Sequence, residues 1–574
     1  MEPSRRTAGI LIPAFSVRRN GDLGVGDTLG LRHWVDWAAD HLVGFLQLLP
    51  INENGFDESP YSAISSVAID PIYLTIETSE IPWVPESLIQ ESREKLSQYL
   101  HLDKVNYQAV RPVKRQLLEK AWVLFRRAEW SFHEEFERFQ DEEKSWLVPY
   151  VSFRWLMEHY GEHLPWNHWP AACQTQVGAE RYIDQKKAED PKIVGRLKFL
   201  AFVQWLCFRQ WRSLKQYADS RGVKLMGDLP IGVSWHSADA FFDRSQFHLE
   251  LCGGSPPEPM VPNDKFFQQW GQNWGIPLYR WDRMEKDGFA WWKNRVVRIA
   301  EIFRMFRIDH ILGFYRIYSF PWAPHRNHEF VDLSPDDAAK LTGGRLPRWS
   351  RRADDSPENE AANLADGDLR LRAILKANED CEVIAEDLGW VPGYVRPHLL
   401  DLGIAGFRIP HWDSDHGHAI TGDRFPECSF ATYSTHDHDP INSIWRGCYD
   451  AIQKAVFDPS HENMRDAEHS RHTLRILSEF AGIPLPANGA VPPFTDGVQW
   501  RLIKALFASN SRYAVLSANE LFDIPGRINR PGSHAGDNWT FRLPWSVEEV
   551  ESDRRLAEIG DKLAATIGVT RRTQ

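Results

Sequence analysis

Short apolar runs separated by helical stretches recur along the chain. Eight of them, at residues 10–13, 45–49, 225–229, 305–309, 383–386, 406–409, 431–435 and 514–517, are too short for helices and rich in β-prone residues, as strands covered on both faces are. Helical periodicity fills most intervals. Asp27 or Thr28 can cap a helix whose apolar face is Leu31, Trp34, Val35, Ala38 and Leu42, and another helix runs from about residue 198 to 220. Eight strands alternating with helices predict a (β/α)8 TIM barrel, with a doubly wound open sheet as the alternative. From 81 to 195 the pattern turns charged and helix-periodic without clear strands, one stripe being Leu117, Leu118, Ala121, Trp122 and Phe125. Residues 1–574 therefore read as a single barrel with a helical insertion at 81–195 and a second insertion at 320–371, between strands four and five. Within the latter, the polar stretch 351–366 reads as an exposed loop.

Composition narrows the function classes. With 67 basic and 79 acidic residues the net charge is −12, and no Lys/Arg block carries interleaved aromatics, so nucleic acid is excluded as a partner. No apolar run approaches the ~18 residues of a membrane span. Arg5-Arg6 followed by residues 8–15 faintly resembles a signal peptide, but Pro13 interrupts the apolar run and no cleavage pattern follows; a cytoplasmic location is expected. The six cysteines are scattered without a C-x-x-C pair, which argues against a disulfide framework or a zinc cage. The 25 tryptophans fit either a large core or flat surfaces on which sugar rings stack, and Phe56 and Tyr61 in the loop after the second strand leave the same choice.

Three predicted strands finish at or just before a carboxylate: Asp309 after Met305-Phe306-Arg307-Ile308, Glu386 after Ile384-Ala385, and Asp437 after Thr435-His436. A single strand-end acid is commonly a cap or an ion-pair partner, but barrel closure would bring all three to the one face where α/β barrels keep their reactive groups. Paired carboxyls suit the cleavage of an acetal, one ionised against the oxocarbenium-like centre and one protonated for the leaving oxygen; a short gap between them gives retention and a wider one admits water and inversion. Arg307, two residues before Asp309, points to the same barrel face and favours its ionised form, which makes Asp309 the natural nucleophile and Glu386 the acid. His436-Asp437-His438-Asp439 could be drawn as a metal site, but alternate strand residues face opposite ways and the H-x-x-x-H helix spacing is absent, so no metal is expected. No G-x-S-x-G or P-loop supports serine hydrolysis or phosphoryl transfer, and Gly24 to Gly30 lacks the third glycine of a dinucleotide loop.

The chain resembles the 4-α-glucanotransferases called amylomaltases or disproportionating enzymes, glycoside hydrolase family 77. The likeness runs through Asp57-Glu58-Ser59-Pro60-Tyr61, Gly227-Asp228-Leu229-Pro230, Gly271-Gln272-Asn273-Trp274-Gly275, Arg307-Ile308-Asp309-His310, Ala385-Glu386-Asp387-Leu388-Gly389, Thr435-His436-Asp437 and Arg527-Ile528-Asn529 with Asn538-Trp539. It implies a cofactor-free, retaining barrel enzyme that moves α-1,4-glucan segments to the 4-hydroxyl of glucose or another glucan. Asp309 would be nucleophile, Glu386 acid/base and Asp437 transition-state stabiliser; Arg307 and His436 would touch the sugar, Asp228 would lie at the groove, and Tyr61 and Trp274 would offer stacking surfaces. An α-glucan hydrolase with the same acids, and a glycan-binding barrel without catalysis, are the alternatives. Two motifs depart from the family pattern: Ile69-Asp70-Pro71 replaces Gly-Asn-Pro, and His438-Asp439-Pro440 replaces Asn-Asp followed by Thr.

Overall fold

The computed structural model describes residues 6–55, 57–258, 264–485, 490–532 and 536–572; Phe56 lies outside them. Eight strands form one closed sheet: β1 (Thr7–Leu11), β2 (Phe45–Gln47), β3 (Lys224–Leu229), β4 (Met305–Ile308), β5 (Glu382–Ala385), β6 (Ala405–Arg408), β7 (Ser429–Ala431) and β8 (Tyr513–Ser517). All neighbours pair parallel and β8 returns to β1, so the sheet has no edge and the open-sheet alternative is excluded. Each of the eight apolar runs read from sequence supplies one strand. The strands are buried almost throughout, as expected when a barrel interior covers one face and helices the other. The seventh ladder stops at Ala431, four residues short of the expected end, because the Thr432 hydroxyl turns back onto the Ser434 carbonyl; Asp437 therefore stands on a loop rather than at a strand tip.

Aromatic rings fill the barrel floor. Phe430 packs against Phe407 at 4.8 Å and against Phe45 at 6.1 Å, and Tyr513 meets Phe45 edge-on at 6.1 Å. Space for the Phe45 ring exists only because β1 carries Gly9: a Cβ there would stand 2.2 Å from Phe45 Cζ.

Between β2 and β3 the chain is largely helical, with helices Glu86–Lys95, Tyr107–Phe125, Trp130–Glu142, Lys144–Tyr160 and Gln176–Glu189 leading into the long Lys192–Ser220. Their aromatic faces, Phe125, Phe136, Phe202 and Trp205 among them, join the same continuous core as the barrel, so the helices are packed on the barrel rather than hung from it. The substituted Asp70 belongs to this junction: buried, it caps the turn Pro71–Tyr73 and accepts two hydrogen bonds from Arg111, at 3.0 and 2.9 Å.

A second sheet was not legible in the sequence. Strands Phe247–Ser255, Gln272–Tyr279, Ile317–Phe320 and Arg348–Ser350 pair antiparallel beside the barrel mouth. Their glycines and register shifts erase the period-2 alternation that announces a half-buried strand. Part of the expected loop at 351–366 is also helix: Pro357–Leu375 begins where Ser356 caps the Asn359 N–H, with Pro357 in the first turn and Glu358 and Glu360 beside it. Proline and acids at that position complete a helix N-terminus, so the polar composition marked a helix start and not irregular chain. No helix among the described residues is long and apolar enough to cross a membrane, and all six cysteines are free thiols.

Gly9→Ala should overpack the barrel floor and cost about 1–3 kcal/mol, whereas Gly195→Ala, in the helix Lys192–Ser220 with nothing within 4 Å of the added methyl, should stabilise by up to about 1 kcal/mol. Thermal unfolding of the two variants beside the parent checks both signs.

Candidate active site

The register between β3 and β4 sets Asp228 opposite Arg307, and that between β4 and β5 sets Ile308 opposite Ala385, one residue before Glu386. Side chains that alternate into the barrel mouth therefore meet there by pairing alone. Arg307 Nη1 donates to Asp228 Oδ2 at 2.6 Å and Arg307 Nη2 to Asp309 Oδ1 at 2.6 Å, so one buried guanidinium serves two carboxylates. Asp228 has a fully buried side chain (0% exposed), while that of Asp309 is 26% exposed. Asp309 is the one that opens to the cleft.

The chain turns sharply after Asp309. His310 adopts the left-handed conformation (φ 46°), and its backbone N–H donates to Glu386 Oε2 at 2.7 Å; the Leu388 N–H donates to Oε1 at 2.9 Å. Burial pushes Glu386 up to about 8, and the Asp309 charge adds to this against the pull of Arg307. On the far side, Asp437 accepts from Asn529 Nδ2 at 2.6 Å and stands 3.3 Å from His436 Nε2; burial raises its pKa, opposed by the Asn529 hydrogen bond and the Arg307 charge.

Tyr61 ties these groups together. Its hydroxyl lies 2.9 Å from Asp228 Oδ2, 3.2 Å from Arg307 Nη1 and 3.1 Å from His436 Nε2. A hydroxyl has one proton to give, and the charged acceptor Asp228 takes it, leaving the oxygen to accept from Arg307 and from a His436 ring protonated on Nε2. Burial, with Arg307 nearby, holds His436 down at about 3, so the ring is neutral. The Tyr61 ring stacks on His436 with centroids 5.5 Å apart, and Trp539 closes on both at 5.6 and 5.5 Å. Tyr61 thus packs within the site rather than standing out as a lone platform.

All three acids line one cleft of about 610 Å³, together with Tyr61, Trp274, Arg307 and Trp539. Trp274 crosses His310 edge-on at 4.8 Å. Asp228 and His436, expected at the groove, do not line it; they stand behind Arg307, Tyr61 and Asp437. Asn529 and Trp539 went unassigned in the sequence, although both lie in the late motif at 527–539. Trp349 and Trp390 also line the cleft and had no pattern to betray them. In a second cavity of about 630 Å³, between the loop after β2 and the helices, three lining arginines are paired with acids: Arg111 with Asp70 at 2.9 Å, Arg154 with Glu53 at 3.1 Å and Arg196 with Glu158 at 2.7 Å. It holds none of Asp309, Glu386 and Asp437, all of which line the first cleft. Among the described residues no group of three His, Cys, Asp or Glu is arranged to hold a metal ion.

Residues 12–548 match the model of glycoside hydrolase family 77, described as 4-alpha-glucanotransferase. Similar curated proteins include the 4-alpha-glucanotransferases of Chlamydia muridarum, 29% identical with 96% of this chain and 93% of that protein covered, and of Chlamydia caviae, 30% identical with 94% and 91% covered. Among solved structures, an amylomaltase from Streptococcus agalactiae in complex with acarbose shares the fold at a TM-score of 0.73 and 22% identity, covering 99% of this chain and 100% of that one. A closed barrel with three carboxyls in one mouth, and a family match over nearly the whole length, lead to one conclusion: the chain belongs to the 4-alpha-glucanotransferase family, glycoside hydrolase family 77.

Proposed function

We propose that the protein is a retaining 4-α-glucanotransferase that cleaves α-1,4-glucans and passes the donor segment to the 4-hydroxyl of glucose or another glucan. The observation that carries this reading is the contrast between two carboxyls of one cleft, Asp309 salt-bridged to Arg307 and Glu386 buried and pushed up to about 8. One carboxyl ion-paired and open to the cleft, beside another that burial keeps protonated, is what glycosyl transfer uses.

In the first step an Asp309 carboxylate oxygen attacks the anomeric carbon as the bond to the leaving 4-oxygen breaks, and Glu386 gives that oxygen its proton. A covalent glycosyl-Asp309 ester results. In the second, Glu386, now a carboxylate, removes the proton from the acceptor 4-hydroxyl, whose oxygen attacks the same carbon and frees Asp309. Two displacements on one carbon retain its configuration. Asp437, held by Asn529 and His436, is placed to bind the sugar hydroxyls as the ring flattens. Arg307, which lines the cleft, fixes Asp309, and Asp228 and His436 act from behind it, fixing Arg307 and Tyr61. Acid–base and nucleophilic work by carboxyls asks for no cofactor. The helical segment 81–195 and the segment 320–371 are assigned as insertions of this one catalytic barrel, and the six free thiols support a reducing, cytoplasmic setting.

Incubated with maltotriose, the protein should give glucose and a ladder of longer maltooligosaccharides; shorter sugars alone, with rising reducing ends, would instead mark a hydrolase. Asp309→Ala, Glu386→Ala and Asp437→Ala should each cut this turnover by about 10⁴-fold or more, and an undiminished rate in any of them would remove that residue from the mechanism.

The acid role of Glu386 has its own signature. Because the protonated form is required, kcat/KM for maltotriose should fall as pH rises through about 8. With α-maltotriosyl fluoride, whose leaving group needs no proton, fluoride release should lack that alkaline limb and should survive Glu386→Ala far better than maltotriose turnover does.

A further inference from the structure

Beyond Glu386 the cleft has an aromatic wall. Strand Arg348–Ser350 pairs with Ile317–Phe320 so that Trp349 stands opposite Tyr318, and Trp349 reaches the cleft. Trp390, four residues after Glu386, faces it with ring centroids 6.5 Å apart and planes inclined at 44°. Trp390 is 69% exposed, so an indole that would gain by burial is kept in water.

Trp349 is anchored by a cation that also lines the cleft. The Arg316 guanidinium stacks on its ring, 3.6 Å from the centroid, lies 5.6 Å from the centroid of Trp390, and its Nε donates to Asp354. Asp354 is itself fixed by the Tyr394 hydroxyl at 2.9 Å and by Asn363 Nδ2 at 2.8 Å. A cation on one face of an aromatic ring anchors it and leaves its remaining surface to a ligand. Trp349, Asp354 and Asn363 all come from the segment 320–371.

The wall's position relative to the acids says which part of the glucan it meets. Tyr61 and Trp539 pack on His436 beside Asp437 and its partner Asn529, whereas Trp349 and Trp390 pack on each other, Trp390 four residues after Glu386. Glu386 gives its proton to the leaving oxygen, so what lies beyond Glu386 is the leaving group and, in the second step, the acceptor. Trp390 is on the loop that follows Glu386, whose residues Leu388 and Gly389 line the cleft with it. Two indoles inclined to one another suit an α-1,4-linked chain, whose successive rings turn and cannot lie on one plane.

We propose that Trp349 and Trp390 form an acceptor subsite that holds glucosyl units beyond the one receiving the bond, so that the enzyme selects maltooligosaccharide or longer glucan acceptors over free glucose. This rests on the glucanotransferase reading above. The test uses α-maltotriosyl fluoride as donor, so that the acceptor side is filled by the acceptor alone, and follows elongated product by mass spectrometry with glucose or maltotriose as acceptor. The parent protein should prefer maltotriose in acceptor kcat/KM by roughly tenfold or more, and Trp390→Ala should lose that preference by roughly tenfold through acceptor KM. Trp390→Phe, which keeps a flat ring, should retain most of it. Because Trp390 is exposed, its removal leaves the core untouched; an unchanged thermal midpoint confirms folding. Equal preference in the parent and Trp390→Ala, or none in the parent, overturns the subsite. Fluoride release by the parent with no elongation of either acceptor overturns the transferase reading, and the subsite with it.

Discussion

One buried guanidinium organises the barrel mouth. Arg307 is 3% exposed, and a cation so placed is tolerated only if carboxylates and hydrogen-bond acceptors replace the lost hydration. Asp228, its partner across the parallel ladder, supplies one carboxylate, and Asp309 supplies the other. The two are not equivalent. Burial pushes Asp228 up to about 7 despite the ion pair, while the 26% exposure of the Asp309 side chain leaves it free to meet a substrate without giving up its hold on Arg307. Burial first, and then the same cation, keep His436 neutral: a second positive charge across Tyr61 would face Arg307 with little solvent between them.

Glu386 is set apart by what surrounds it rather than by what it is. Its two ligands are backbone N–H groups, dipoles that hold a carboxyl in place without the full charge that would ionise it, and burial then dominates. The turn at His310 is what aims one of those N–H groups. A non-glycine residue in the left-handed region costs roughly 1–3 kcal/mol, so the conformation persists because the barrel on one side and Trp274 on the other hold it. Asp309, Glu386 and the strained His310 are thus one short piece of chain and its neighbour strand.

The barrel was legible because its strands are apolar on both faces and its intervals are helical; nothing in the site had to be known for the eight runs to be counted. The three acids were legible for a related reason: they follow the runs directly, and closure of the sheet gathers strand ends. What escaped was set by geometry that sequence spacing does not encode. Asp228 and His436 were expected at the groove, but alternation along a strand fixes only which face a side chain takes, not how deep it stands behind its neighbours. Asn529 reaches Asp437 from 92 residues away, through a loop with no period. The second sheet was hidden by the glycines at 253 and 254, where an added Cβ would strike Ile317 or the Gln272 carbonyl, so the residues that let those strands pack are the ones that remove the strand signal.

That second sheet separates two demands that an acid–base site cannot satisfy together. Residues on barrel strands are held by ladders on both sides, which suits carboxyls whose protonation depends on sub-ångström placement but leaves no room to vary the pocket. The wall beyond Glu386 is built differently, from a three-residue strand at the rim of the sheet, an arginine stacked beneath an indole, and a loop. Its supports, Asp354, Asn363 and Tyr394, are other residues than those that hold Arg307. The barrel ladder fixes Arg307 against Asp228, and a separate buried pair, Arg316 with Asp354, fixes Trp349 on the attached sheet, so each wall of the cleft is held by its own charge.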